Sequence, residues 1–104
     1  MDYKVVVTPD AEHDLEEYVG YLLFEKKNDQ AARNLLDDFE ITKKILQNVA
    51  GSLKYCENPK LKEQGYKRIN FTAHRYFMLY RIAGNVVVIH NIFHELQDYE
   101  NRMN

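Results

Sequence analysis

Residues 66–100 read YKRINFTAHRYFMLYRIAGNVVVIHNIFHELQDYE, and the period of this stretch decides the fold. Gly84-Asn85 separates two runs rich in β-branched and aromatic residues, and a two-residue loop that opens on glycine predicts a tight hairpin. Placing Ala83 opposite Val86 and counting outward pairs Ile82 with Val87, Tyr80 with Ile89, Met78 with Asn91 and Tyr76 with Phe93 on one face. The other face then pairs Arg81 with Val88, Leu79 with His90, Phe77 with Ile92 and Arg75 with His94, because strand side chains alternate with a period of two. The first face is mostly apolar. The second is mixed, and Arg75, Arg81, His90 and His94 make it the place where chemistry or recognition is expected.

Upstream, Phe71-Thr72-Ala73-His74 connects a strand over Tyr66 to Asn70 with the one over Arg75 to Ile82. Ile69 and Phe71 fall on the apolar side of that strand, and Tyr66, Arg68 and Asn70 on the open side. No Gly, Asn or Asp inside the connection pins its turn.

The amino-terminal half supplies the layer that covers the apolar face. Tyr3 to Val7 alternates as a short strand, with Tyr3, Val5 and Val7 on one side. Thr8-Pro9-Asp10 ends it and starts a helix: Thr8 caps, Pro9 suits the first helical position, and Asp10, Glu12 and Asp14 place negative charge at the positive end of the dipole. Ala11, Leu15, Tyr18, Val19, Leu22 and Leu23 recur every three or four residues as one amphipathic face. Asn28-Asp29 breaks the pattern. A longer helix follows with Ala32, Leu35, Phe39, Leu46 and Val49 on one stripe, flanked by Leu36 and Ile45, and ends at Gly51-Ser52. Two helices joined this closely run antiparallel. From Leu53 to Gly65 there is no periodicity, which predicts a long loop of the kind that often carries function. Leu96 to Met103 can form a short terminal helix. The expected fold is therefore α+β in a single domain spanning 1–104: strand, helical hairpin, then a three-stranded antiparallel meander, one sheet with the helices on one face.

The formal net charge of −2 conceals a strong asymmetry. Residues 1–53 carry a net −5, residues 54–81 a net +5 and residues 82–104 a net −2. The basic block coincides with the loop and the first two strands of the meander, a local field that attracts phosphates. A single cysteine, Cys56, excludes an internal disulfide and fits a reducing cytoplasm. No apolar run approaches the roughly 20 residues that span a bilayer, so no membrane partner is expected.

The order of elements, together with Thr8-Pro9-Asp10-Ala11 opening onto an acidic helix, the YRIAGNVVVI hairpin and the run from His94 to Asp98, resembles the RelE/ParE superfamily of toxins from type II toxin–antitoxin systems. The resemblance covers essentially the whole chain. It implies a toxin that arrests growth and is neutralised by a cognate antitoxin, which wraps it with a helix or strand. One branch resembles ribosome-dependent mRNA endonucleases and the other resembles inhibitors of DNA gyrase. The leading expectation is the endonuclease, metal-independent and without a cofactor, acting on mRNA at the ribosome. The alternatives are a non-catalytic gyrase inhibitor and a weakly toxic homologue that only binds antitoxin.

For the endonuclease the resemblance implies an arginine three residues before the tyrosine of the third-strand Tyr-Arg pair. Here that position is Phe77, and the nearest arginine on the same face is Arg75, about 6–7 Å further along the strand. Cleavage through the RNA 2′-hydroxyl needs a base, positive charge for the phosphorane and an acid for the leaving oxygen. His94 is the candidate base or acid, Arg75 and Arg68 the phosphate ligands, Glu63 a second proton-transfer group, and Tyr99 a stacking or proton-donating group. His90 and His94, four strand residues and about 13 Å apart, cannot share one metal ion. His13 and His74 have no evident company in the sequence. The apolar open-face positions Phe77, Leu79 and Ile92 are expected to await a covering partner.

Overall fold

A computed structural model of the chain describes residues 2–97 and 99–103. Asp98, the last residue of the run that follows the hairpin, lies outside the described residues. In chain order the elements are β1 (Lys4–Val7), α1 (Pro9–Gly20), α2 (Asp29–Val49), α3 (Pro59–Glu63), β2 (Lys67–Asn70), β3 (Tyr76–Ala83), β4 (Val86–His94) and α4 (Tyr99–Arg102). A π turn, Tyr21–Glu25, prolongs α1, and a 3₁₀ turn, Ala50–Ser52, closes α2. The sheet has the order β1-β4-β3-β2. The meander β2-β3-β4 is antiparallel as expected, and β1 adds to it in parallel beside β4, so the whole sheet is mixed. The α1–α2 crossover between β1 and the meander leaves room for that parallel return.

Local signals are realised where the chemistry is local. The Thr8 hydroxyl accepts from the Ala11 amide at 3.2 Å, and the Asn28 side chain caps α2 by accepting from Ala31 at 2.9 Å. Gly84 turns the hairpin with φ +63, a conformation that L side chains resist. At Gly51 a Cβ would meet the Tyr3 hydroxyl, so a larger residue there requires the Tyr3 side chain to shift. The segment read as a long loop is partly helical. Asn58 caps α3 by accepting from the Lys60 and Leu61 amides at 3.0 and 3.2 Å, and Pro59 occupies the first helical turn.

The main core lies between the helices and one sheet face. It joins Ala11, Leu35, Phe39 and Leu46 from the helices to Ile69, Met78, Tyr80, Val87, Ile89 and Ile92 from the sheet. Tyr3, Val5 and Val7 of β1 and Leu15, Tyr18, Val19 and Leu22 pack against it, as their periods require. The Tyr80 hydroxyl, buried in this core, donates to the Ala50 carbonyl at 2.8 Å, and burial pushes its pKa far up.

The hairpin register departs from simple alternation at one point. From the turn to Tyr80, opposite Ile89, every pair is as counted, but Leu79 then faces Asn91, Met78 faces Ile92, Phe77 faces Phe93 and Tyr76 faces His94. His90 is the extra residue of a β-bulge. The shift exchanges faces beyond it: Ile92 enters the helix-side core and Phe93 the open side, and the expected pairing of Arg75 with His94 is lost. The bulge is held from outside the sheet by α1 and its N-cap. The Ile92 amide donates to Asp14 Oδ2 at 2.9 Å, and the Asn91 side chain to the same oxygen at 3.3 Å. The Thr8 hydroxyl donates to the His90 carbonyl at 3.1 Å, and the Tyr18 hydroxyl to the Ile92 carbonyl at 3.4 Å. Asp14 therefore satisfies a strand amide, a role that no helix-dipole argument predicts. Replacing Asp14 by alanine leaves the Ile92 amide unpaired and should cost about 1–3 kcal/mol in urea unfolding; an unchanged midpoint would show that the bulge holds without it.

The Phe71–Arg75 connection is pinned from α2. Asp38, 3% exposed, accepts from the Thr72 amide at 3.0 Å, the Thr72 hydroxyl at 2.6 Å, the Ala73 amide at 2.9 Å and His74 Nδ1 at 2.6 Å. Burial alone would raise the Asp38 pKa, but the bonds from Thr72, His74 and Ala73 outweigh it and hold the carboxyl at about 2, below its usual 3.8. His74 thus has a close partner after all, and so does His13, whose Nε2 lies 2.8 Å from Glu17 one turn along α1.

Candidate functional site

The open face of the sheet is not bare. Phe77, Leu79 and Phe93 form a second apolar cluster with Cys56, Leu61 and Tyr66, and Tyr99 and Met103 close over it. Phe77 and Leu79, expected to wait for a partner, are covered by the chain's own 53–66 segment and carboxyl-terminal turn, and Ile92 has left this face altogether. The cover is tied down at its ends, since the Asn58 side chain hydrogen-bonds the Glu100 carboxylate, joining α3 to α4.

Arg68 rises from β2 through this layer. Its guanidinium carbon lies 3.7 Å from the Phe77 ring centroid and 6.0 Å from that of Tyr99, and its Nε donates to Asn70 Oδ1 at 2.9 Å. Tyr99 stacks edge-on against Phe77 at 4.9 Å. Beside them opens a cleft of about 470 Å³ at the outer edge of β2, lined by Arg68, Ile69, Asn70 and Tyr99 and by Leu53–Glu57 of the preceding segment. The wedge forms because that segment pairs with the sheet only at Tyr55 and Lys67, and Lys67 turns to the helix side, where its ammonium donates to the Leu53 carbonyl at 2.6 Å. Burial raises the Tyr99 phenol above its ordinary value, with Glu100 adding to it and Arg68 opposing. Burial likewise raises the Cys56 thiol, against the pull of Arg68, which favours its protonated form.

Of the five residues expected to form a site, the structure brings two together, Arg68 and Tyr99. Arg75 is exposed in the bend before β3, where its carbonyl accepts from the Glu95 amide at 2.9 Å. His94 stands over Tyr76, with ring centroids 5.0 Å apart, and its Nδ1 accepts from the Leu96 amide at 3.1 Å. Glu63 is exposed at the end of α3 and does not line the cleft. The imidazole that does share the open face with an arginine is His90. Arg81 Nε lies 3.3 Å from His90 Nε2, and the Arg81 guanidinium sits 4.7 Å over the Tyr66 ring, which His90 meets edge-on. Burial, reinforced by Arg81 and opposed by Asp10, lowers the His90 pKa and favours the neutral ring, whose Nε2 accepts from Arg81. Parity in the hairpin put Arg81 and His90 on this face, where Arg81, opposite Val88, reaches His90 as a diagonal neighbour.

A family model described as the ParE toxin of type II toxin–antitoxin systems, parDE, matches residues 5–99. The chain belongs to the ParE toxin family. Among solved structures, this ParE-family chain is similar to one in the chromosomal ParDE toxin–antitoxin system of P. aeruginosa, with 21% identity, 88% of this chain and 95% of that one covered, and a TM-score of 0.69. It is also similar to one in the toxin–antitoxin complex RelBE2 of Mycobacterium tuberculosis, with 22% identity, coverage of 90% and 99%, and a TM-score of 0.61. At these identities the likeness is one of fold. No curated protein matches by sequence.

Proposed function

We propose that this chain is a growth-arresting toxin, restrained by a cognate antitoxin, that acts by binding DNA gyrase and not by cutting mRNA on the ribosome. The observation that carries this reading is the β-bulge at His90, which separates the two groups on which the cleavage chemistry rested. With Leu79 facing Asn91, His94 comes opposite Tyr76 and not Arg75, and its Nδ1 is committed to a backbone amide. At the position where the resemblance calls for a phosphate-binding arginine, Phe77 is fully buried. Arg81 occupies the His90 Nε2 lone pair and burial lowers its pKa, both of which make it a poor base. The ParE family match is in keeping with the gyrase branch of the resemblance. The antitoxin partner is supported by the two similar structures, both of toxin–antitoxin systems.

A second reading rests on the cleft. Arg68 beside Tyr99, with Lys54 on the opposite wall, offers a phosphate ligand, a phenol and a stacking surface, which is part of what RNA cleavage requires. Two substitutions test whether the expected catalytic pair carries the toxicity. Induced expression of His94→Ala and of Arg75→Ala should arrest growth as strongly as the parent, because the two are not paired for proton transfer and phosphate binding. Loss of arrest in either variant, with circular dichroism and melting unchanged, would restore the catalytic pair, since removing a proton-transfer group or phosphate clamp costs a factor of about 10²–10⁴.

A further inference from the structure

Resting on the gyrase reading, we infer that the uncovered half of the open sheet face docks an acidic, apolar-faced segment of the target protein. Around Phe77, Leu79 and Phe93 that face is sealed by the chain's own 53–66 segment and carboxyl-terminal turn. Towards the hairpin turn it is not. There Val6 of β1 lies opposite Val88 of β4, Lys4 lies opposite Val86, and Arg81 of β3 stands on the other side of Val88. Val6 is 39% exposed, Val86 and Val88 are half-buried, and Lys4 and Ala83 are exposed. Alternation sends Val5, Val7, Val87 and Ile89 into the core against the helices, so Val6, Val86 and Val88 gain no cover from them. The patch is three strands wide, about 10 Å from Val6 across to Arg81.

Two cations flank these valines without an anion of their own. Among the described residues neither Lys4 nor Arg81 forms a salt bridge. Arg81 is also fixed in direction, because its guanidinium stacks 4.7 Å over the Tyr66 ring and its Nε meets His90 Nε2 at 3.3 Å. Neither contact supplies a carboxylate, and both leave the two terminal guanidinium nitrogens for a partner. That edge matches a carboxylate through two parallel bonds, and here it is oriented before the partner arrives. A held arginine beside apolar side chains is the composition that concentrates binding energy in protein interfaces. Nucleic acid fits less well: a phosphate chain would meet Lys4 and Arg81 but leave the valines uncovered. Tyr66, 7% exposed beneath Arg81, has no free ring face for a base. A second copy joined through the same patch would set these cations against their own kind.

The test passes gyrase holoenzyme over the immobilised full chain in biolayer interferometry, with supercoiling assayed in parallel. The parent should bind. Lys4→Glu, Arg81→Ala and Val6→Asp should each weaken binding by about fivefold to twentyfold, Lys4→Glu chiefly through slower association. The Lys60→Glu/Lys62→Glu double variant, a larger change of charge placed on α3, should bind as the parent does. Melting curves show which variants are folded, and Lys4→Glu, at an exposed side chain, keeps the comparison valid if Arg81→Ala loses stability. Binding that all three patch variants retain would overturn the inference and leave the gyrase reading standing. A parent that neither binds gyrase nor inhibits supercoiling would end the gyrase reading and take this partner with it. Fluorescence anisotropy with labelled duplex DNA and sedimentation of the chain alone examine the other occupants. DNA binding that Lys4→Glu abolishes would make the patch a phosphate surface, and self-association that it abolishes would make a second copy the occupant; either result would overturn the inference.

Discussion

Asp38→Ala should lower the stability of the chain by about 3 kcal/mol and its melting temperature by more than roughly 10 °C. The substitution removes a buried acceptor and leaves the Thr72 and Ala73 amides, the Thr72 hydroxyl and His74 Nδ1 without the carboxylate that satisfies them. Because that carboxylate is the tie between α2 and the β2–β3 connection, its loss should release the turn before β3 first. The same bonds give stability a definite pH dependence. The folded-state pKa of about 2 lies below the usual 3.8, so the ionised form is favoured by folding. Its contribution, about 2 kcal/mol, is therefore fully present above pH 4 and is lost as pH falls towards 2. Urea unfolding of the parent and of Asp38→Asn at pH 7, 4 and 2 checks both statements: the gap between them should shrink across the acidic step. A gap that stays constant would show that the Asp38 charge does not contribute.

The second large effect is expected at Phe77. It is fully buried between β3, the Arg68 guanidinium and the rings of Phe93 and Tyr99. Phe77→Ala should cost about 3–5 kcal/mol through lost burial and the cavity left behind. Phe77→Arg places an arginine where the resemblance calls for one in RNA-cleaving relatives. In this chain the new charge would lie beneath Tyr99 and against Arg68, among the apolar side chains of the second cluster. It should destabilise at least as much as the alanine and produce no cleavage of mRNA. A stable Phe77→Arg protein that cuts mRNA would mean that a single side chain separates this toxin from a nuclease, and that the open face is otherwise ready for the chemistry.

The parts of this fold that were legible in the sequence are those whose causes are short-range. Gly84-Asn85 determined the hairpin and its register as far as Tyr80 opposite Ile89, and the 3.6-residue recurrence in both helices marked most of the residues that reach the core. Arg68 fell on the open face because β2 is regular over its whole length. The bulge was not legible, because the groups that hold it are an acid and a phenol in α1 and the hydroxyl of its N-cap, more than seventy residues away. Asp14 reads as a dipole charge until the unpaired Ile92 amide is seen, and the slip it supports carried His94 away from Arg75. Asp38 is similar: nothing in α2 marks that acid as buried, and the connection it holds has no turn residue of its own. The α3 helix, in contrast, had a readable signal in Asn58-Pro59, an N-cap followed by proline, which the missing periodicity of a five-residue helix outweighed.

The proposed mode of action is occupation of a target and not chemistry on RNA. The direct measurement adds the purified chain, in parallel, to gyrase with relaxed plasmid and ATP and to ribosomes translating a defined mRNA. Inhibition of supercoiling at stoichiometric concentrations, with the mRNA intact by primer extension, is the expected result. Cleavage of the ribosome-bound mRNA with gyrase unaffected would contradict it.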